Sequence, residues 1–441
     1  MIGGGLGGFA PGEWTDDTSM AVCIAEVAAT GMVDLEAIGE RFLAWQRSGP
    51  ADIGISTAAV LGQAAIGADL PAAAAAYFAE HPEGAAGNGA LMRTAPVALA
   101  HLGDDAAIAA AARAVAELTH ADPLAGDSCV LWCVAIDRAV RQGRLDGIHD
   151  ALALLPEERR GFWAAAVAEA EQRPAGTFTG NGFTVTALQA AYAAVVQTPI
   201  PEDLPARHLQ HALVAAVRIG HDTDTVAAIA GMLLGARWGA SAVPFAWRRM
   251  LHGWPGLDAS DLVRLAILTA NQGRPDGSGW PSAPVMDGEG DPHLLVPLPG
   301  DDGVLLGNLT SLGDAVGQVD AVVSLCRVGT EQVPDRLEHH QVWLVDRAGE
   351  DANPNLRFVL ADTVDAIRTL RAEGRRVFVH CVAGGSRTPA VAAAYLARHE
   401  GIPAAEALER IAEAVPHHNP HDTTLLDTTL LDAVRDVVEH R

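Results

Sequence analysis

Val377–Pro389 reads VFVHCVAGGSRTP, and it decides the fold of the C-terminal part of the chain. Val377 to Val379 form an apolar strand that ends in His380 and Cys381. Five residues follow, then Arg387, a hydroxyl at Thr388, and Pro389 where a helix opens. A loop at a helix N-terminus turns successive backbone N–H groups inward, so strand, loop and helix start together cradle an oxyanion. Gly384 and Gly385 allow the tight path, and with Ser386 they are the expected anion-binding residues. Arg387 adds a bidentate fork to two phosphate oxygens. The same positive field favours a thiolate nucleophile at Cys381. Thr388 is expected to hydrogen-bond that sulfur and help it leave.

Outward from this stretch, short β-type runs alternate with helical ones: HLLVPLP, GVLLGNL, DAVVSLCRVG, HHQVWLVD, a helix from about Leu356 to Glu373, RRVFVHC and TPAVAAAYLARH. This is the pattern of an α/β domain over 293–441. Residues 271–292, NQGRPDGSGWPSAPVMDGEGDP, gather Gly, Pro, Ser and Asp without a period and read as a linker. Upstream, residues 1–270 are dominated by alanine and aliphatic residues at helical spacing, as in AAIAAAARAVAELTH and VLWCVAIDRAV, which predicts an all-α domain.

The 441 residues are 49% hydrophobic and only 19% charged, which excludes a disordered chain. Lys plus Arg total 30 against 55 Asp plus Glu, a formal charge of -25 that works against nucleic acid or anionic lipid as partner. Five scattered cysteines suit reduced thiols, and no apolar run reaches the ~20 residues of a membrane span. A cytoplasmic protein is expected. The His-rich run PHHNPH at 416–421 reads as a solvated loop, and the doubled TTLLD at 423–432 as a helix with two similar turns.

Two acidic clusters mark the helical half. Glu13–Met20 reads EWTDDTSM and Gly220–Thr225 reads GHDTDT, running straight into a helix. Crowded carboxylates repel unless a cation neutralises them, and oxygen-only clusters suit hard divalent ions, so magnesium or manganese is expected.

His380, Cys381, Gly384, Arg387 and Thr388 meet the HCxxGxxR[ST] pattern, and the α/β domain resembles the cysteine-dependent tyrosine and dual-specificity phosphatases. That resemblance implies a thiophosphate intermediate on Cys381, no cofactor, and a general acid on an upstream loop. Asp346, ending HHQVWLVD, is the expected acid, with Asp351 the alternative. A buried structural cysteine and rhodanese-like sulfur transfer are the competing readings.

The helical half resembles the ADP-ribosylglycohydrolase family, all-helical with a dinuclear metal centre. Besides WTDDT and DTDT, the similarity rests on GNGALMRTAP (87–96), Thr119–His120 and GNGFTVTALQAA (180–191). It implies that Thr15, Asp16, Asp17, Asp222, Asp224 and Thr225 hold two Mg2+ or Mn2+ ions, with a bridging water as nucleophile or proton relay. Gly87, Asn88 and Gly89 form a turn that can approach diphosphate or ribose. Arg93 either compensates phosphate or pairs with an acid. His120 either bonds the ligand or serves as a core or capping residue, and Phe183 either stacks on a base or packs. In this family a glycine-rich helix carrying further carboxylates precedes the first acidic cluster. Only fourteen residues precede Thr15, so that segment is expected to be missing.

The expectation is therefore a multidomain, bifunctional hydrolase: an all-α ADP-ribosylglycohydrolase-like bundle followed by an α/β phosphatase-like domain. Its partners would be an ADP-ribosylated substrate and a phosphomonoester of a protein or small molecule. The alternatives are an ADP-ribose-binding module without turnover beside an active phosphatase, and a signalling scaffold with degenerate sites.

Overall fold

The structure, a computed structural model, describes residues 2–5, 7–288, 291–347, 352–415, 433–435 and 438. Asp351, the His-rich run and the doubled TTLLD lie outside the described residues. The chain divides into two compact units: Met1–Val243 with Met250–Arg274, and Pro244–Arg249 with Pro275–Arg441.

The first unit is helical, and four of its helices position the site: α1 (Asp16–Ala28), α2 (Pro123–Gln142), α3 (Thr184–Gln197) and α4 (Thr223–Trp238). Helix α2 starts where Asp122 accepts from the Leu124 N–H and Pro123 occupies the first turn, which loses no intrahelical bond. It stops at Gly143, whose φ of 66° is the left-handed conformation that a Cβ disfavours. From Cys129 to Ile136 no side chain is more than 1% exposed, so this middle stretch of α2 is apolar all round and runs through the core. Trp132 ties it to α4 by donating from Nε1 to the Ile229 carbonyl at 3.0 Å. The buried carboxylate of Asp127 on α2 is balanced by Arg113, Arg159 and the Trp163 indole N–H. Pairing of this kind offsets the cost of taking the carboxylate out of water.

The second unit carries a five-stranded sheet. Its strands are β1 (Leu295–Leu298), β2 (Asp301–Asn308), β3 (Ala321–Ser324), β4 (Glu338–Gln341) and β5 (Val377–Cys381), in the order β1-β2-β5-β3-β4. All neighbours are parallel except β1 and β2. The longer helices of this unit are α5 (Leu356–Ala372), α6 (Arg387–Glu400) and α7 (Ala404–Ala414). Strand β5 is central and buried along its whole length, which is why VFVHC reads as an unbroken apolar run. The loop that follows it opens at the carboxyl end of the parallel strands, where α/β folds place their ligands. HHQVWLVD is strand only as far as Gln341. Beyond it the Leu344 N–H turns back to the Val342 carbonyl, 3.0 Å, so Asp346 sits on a loop rather than at a strand end.

One turn of helix, Phe245–Arg248, belongs to this second unit. The Phe245 N–H donates to both carboxylate oxygens of Asp362 at 2.9 Å, Arg248 pairs with the same carboxylate at 3.3 Å, and the Phe245 ring meets His340 edge-on. Among the described residues no helix is long and apolar enough to cross a membrane.

Candidate functional sites

The first acidic cluster opens α1 and the second opens α4, and the two helices pack together. Neither N-cap side chain caps its own helix. Thr15 donates from Oγ1 to Asp17 Oδ2 at 2.6 Å, and Asp222 accepts from Asn88 Nδ2 at 2.7 Å. Thr225 lies within hydrogen-bonding reach of Asp17, which joins the clusters directly. Burial, then the charges of Asp52 and Asp224, pushes Asp16 up to about 6. Asp17 is raised well above the usual carboxylate range by burial and then by Asp16. Asp224 is raised by burial and then by Asp222. Asp17 Oδ1 is buried with no hydrogen-bond partner. Carboxylates gathered at this cost are what an oxygen-ligated cation offsets. Among the described residues no three Asp, Glu, His or Cys side chains already close into a cage.

Two loops brace this cluster, and each carries the tripeptide GNG. Gly87 bridges Phe183, the Asn88 N–H donates to the Gly182 carbonyl at 3.1 Å, and the Thr184 N–H to Ala86 at 2.9 Å. Asn88 Nδ2 also donates to the Asn181 carbonyl, 2.9 Å. Asn181 Oδ1 accepts from the Asp222 N–H, and its Nδ2 donates to Gly220, both at 3.1 Å. Both asparagines thus hold Asp222. Gly89 lies against His120, and Phe183 is 42% exposed. Arg93 is wholly buried and stacks over Phe42 at 4.4 Å.

In the second unit the loop 382–386 wraps the sulfur of Cys381, itself 1% exposed. Gly384, at φ 82°, donates its N–H to Cys381 Sγ at 3.3 Å. Gly385 continues the loop to Ser386, the N-cap of α6. Arg387 Nη1 donates to the carbonyls of Leu325 (2.9 Å) and Leu344 (3.0 Å), while Nη2 pairs with Asp346 at 3.2 Å. Arg387 Nε and Ser386 Oγ are buried without a hydrogen-bond partner. Behind the loop, Ser324 Oγ and His380 Nε2 are 2.7 Å apart, and burial pushes His380 down to about 4. Thr388 corrects an expectation: its hydroxyl donates to the Gly307 carbonyl at 3.3 Å, not to the sulfur, because α6 turns it towards β2.

A family model described as ADP-ribosylglycohydrolase matches residues 1–275. The chain belongs to the ADP-ribosylglycohydrolase family. A second model, the dual specificity phosphatase catalytic domain, matches residues 315–426. Both domains therefore belong to hydrolase families, a helical ADP-ribosylglycohydrolase-like one followed by an α/β phosphatase-like one. ADP-ribosyl-[dinitrogen reductase] glycohydrolase of Rhodospirillum rubrum is 29% identical over 250 residues, 56% of this chain and 76% of the relative. ADP-ribosylarginine hydrolase Tri1 of Serratia proteamaculans is 28% identical over 256 residues, 56% of this chain and 65% of the relative. Among solved structures, human DUSP28 is 22% identical with a TM-score of 0.29, covering 36% of this chain and 99% of that one.

Two side chains of the glycohydrolase unit escape a reading by motif. Asp52 acts on Asp16 from a loop that carries no second acid to draw attention to it. Asn181 had a visible signal, since GNG occurs at 87–89 and again at 180–182, and the two copies meet.

Proposed function

We propose that the helical unit hydrolyses the C1″ glycosidic bond of an ADP-ribosylated substrate, using two magnesium or manganese ions held by Thr15, Asp16, Asp17, Asp222, Asp224 and Thr225. The observation that carries this is the buried, unpartnered Oδ1 of Asp17 among carboxylates that raise one another. The donor set is all oxygen, as hard divalent ions require. When bound, such ions supply Lewis acidity and a water that is acidic enough to react near neutral pH. The chain's own part is orientation. Asn88 and Asn181 hold Asp222 in place, Thr15 holds Asp17, and exposed Phe183 beside Gly87 offers a ring on which a base or ribose can stack. The name of the Serratia relative, an ADP-ribosylarginine hydrolase, makes arginine-linked ADP-ribose the first substrate to try. Release of ADP-ribose from ADP-ribosylarginine should need Mg2+ or Mn2+, stop with a chelator, and disappear in Asp224→Asn. Turnover that persists with all metal removed would sink the reading.

For the second unit the reading is phosphomonoester hydrolysis. It rests on the buried, unpartnered Ser386 Oγ and Arg387 Nε beside Cys381 Sγ, two donors that a phosphoryl oxygen satisfies. Cys381 Sγ attacks phosphorus, the P–O ester bond breaks, and Asp346 delivers a proton to the leaving oxygen. Water then cleaves the S–P bond and frees phosphate. Phosphate release from p-nitrophenyl phosphate should vanish in Cys381→Ser and ignore chelators. Undiminished release by that variant would remove the assignment.

A further inference from the structure

We propose that Arg93 and Thr119 fix the ring proton of His120 on Nε2, so that this nitrogen offers an N–H to an oxygen of the ADP-ribosyl group beside Gly89. The ligand half of this inference rests on the glycohydrolase reading; the hydrogen-bond polarity does not.

The protons are ordered along a buried chain of hydrogen bonds. Arg93, Thr119 and His120 are 0%, 1% and 3% exposed. Among the described residues no carboxylate pairs with Arg93: Nη1 donates to Met20 Sδ at 3.4 Å, Nη2 to the Val115 carbonyl at 3.5 Å, and Nε is buried without a hydrogen-bond partner. A guanidinium only donates. Nη2 donates to Thr119 Oγ1 at 2.7 Å, which makes that oxygen an acceptor there. Thr119 Oγ1 then stands 2.8 Å from His120 Nδ1. The single hydroxyl proton of Thr119 needs an acceptor, and among the described residues Nδ1 is the acceptor within its reach. Nδ1 therefore accepts. The ring is neutral, because burial, with Arg93 adding to it, pushes His120 down to about 3. A neutral imidazole whose Nδ1 accepts carries its hydrogen on Nε2.

That hydrogen faces a place built without side chains. A Cβ on Gly89 would stand 3.0 Å from His120 Cε1 and 3.3 Å from both His120 Nε2 and Thr57 Oγ1, and one on Gly87 would stand 3.4 Å from Nε2. Two glycines thus keep open a notch bounded by an N–H and a hydroxyl, flanking Asn88, whose amide sits on Asp222. An oxygen acceptor, a ribose hydroxyl or a phosphate oxygen, matches it. In the other tautomer a lone pair would face the same place and repel a phosphate oxygen, and only a hydroxyl turned to donate its own hydrogen could pair there. Arg93 and Thr119 do not reach the notch and are positioning residues.

The full-length protein labelled with 15N-histidine tests this by two-bond 1H–15N correlation, with the His120 signals assigned by their loss in His120→Gln. The expected wild-type pattern is a protonated Nε2 and a bare Nδ1. Thr119→Val, which keeps the shape and removes the hydroxyl, should mix the tautomers and weaken ADP-ribose binding roughly threefold to tenfold by calorimetry, the worth of one oriented hydrogen bond. Thr119→Ser should restore both. A protonated Nδ1 in the wild type, or a Thr119→Val protein with unchanged tautomer or unchanged affinity, would overturn the proposal. A wild type with the expected tautomer but no affinity for ADP-ribose would overturn the glycohydrolase reading and the ligand half with it, leaving the polarity of the chain established.

Discussion

Asp16 is a half-buried carboxylate on which the charges of Asp52, Asp222 and Asp224 act, and its stability cost has a definite sign. Its folded value of about 6 lies above the ordinary 3.8, so the folded state holds the proton more tightly than the unfolded one. The favourable share is complete below 3.8 and is lost as pH rises through about 6. The shift corresponds to on the order of 3 kcal/mol. In chelator, Asp16→Asn should therefore melt higher than wild type at pH 7, and the difference should shrink towards pH 4; a variant that melts lower at pH 7 would contradict this origin of the shift. Single residues were legible where chemistry repeats in a short string. WTDDT, DTDT and the HC–R stretch each announce their donors together. Arg93 was not, because its neighbours Phe42, on a helix, and Thr119, in a turn, are distant in the chain and no local spacing brings them together. Thr388 was misjudged for a similar reason. A hydroxyl one residue beyond Arg387 can face the sulfur or the adjoining strand, and only the rotation of α6 chooses.

Among elements, the segment from β5 through the loop into α6 has a backbone that leaves a side chain little freedom at Gly384. Gly384 has φ 82°, and a Cβ there would come 2.7 Å from Leu294 Cδ2 and 3.3 Å from Asn308 Cβ. The leucine end can yield, but the left-handed backbone costs an L-residue about 1 kcal/mol or more. Gly384→Ala should cut p-nitrophenyl phosphate turnover at least roughly tenfold while lowering the melting temperature by only a few degrees; a variant with wild-type kcat/KM would show that the loop tolerates the change. The loop after β4 holds Asp346 against Arg387 at 3.2 Å. Protonating the leaving group matters most when that group is a poor one, so Asp346→Asn should slow an alkyl phosphate by about 100-fold and p-nitrophenyl phosphate far less. Equal losses on both would point to a purely structural role. The strands and helices of this unit were readable from alternation of texture. The early end of β4 was not, since VWLVD is as apolar as a strand, yet its Leu344 N–H turns back to Val342 and its Leu344 carbonyl accepts from Arg387.

At the scale of the whole molecule, the change from alanine-rich helical spacing to short apolar runs gave the two architectures and their order. What composition could not carry is the path of the chain between them. Six residues, Pro244–Arg249, leave the helical unit, pack within the α/β unit, and the chain then returns as far as Arg274 before leaving for good. Those six include the Phe245 and Arg248 that satisfy Asp362. A carboxylate stripped of a partner in that setting costs several kcal/mol, roughly 3 to 5. A fragment beginning at Pro275 should accordingly melt well below the same fragment preceded by residues 244–274, as thermal scans of the two would show; identical melts would mean the six residues are passengers. The glycine- and proline-rich stretch looks like a natural seam, yet a gene fission there would give two products that each inherit the wrong inventory, one with a surplus turn of helix and the other with a hole where that turn had been. Recombining or shuffling these enzymes as cassettes calls for two joints on one side and a third on the other, rather than a single cut at the place the letters suggest.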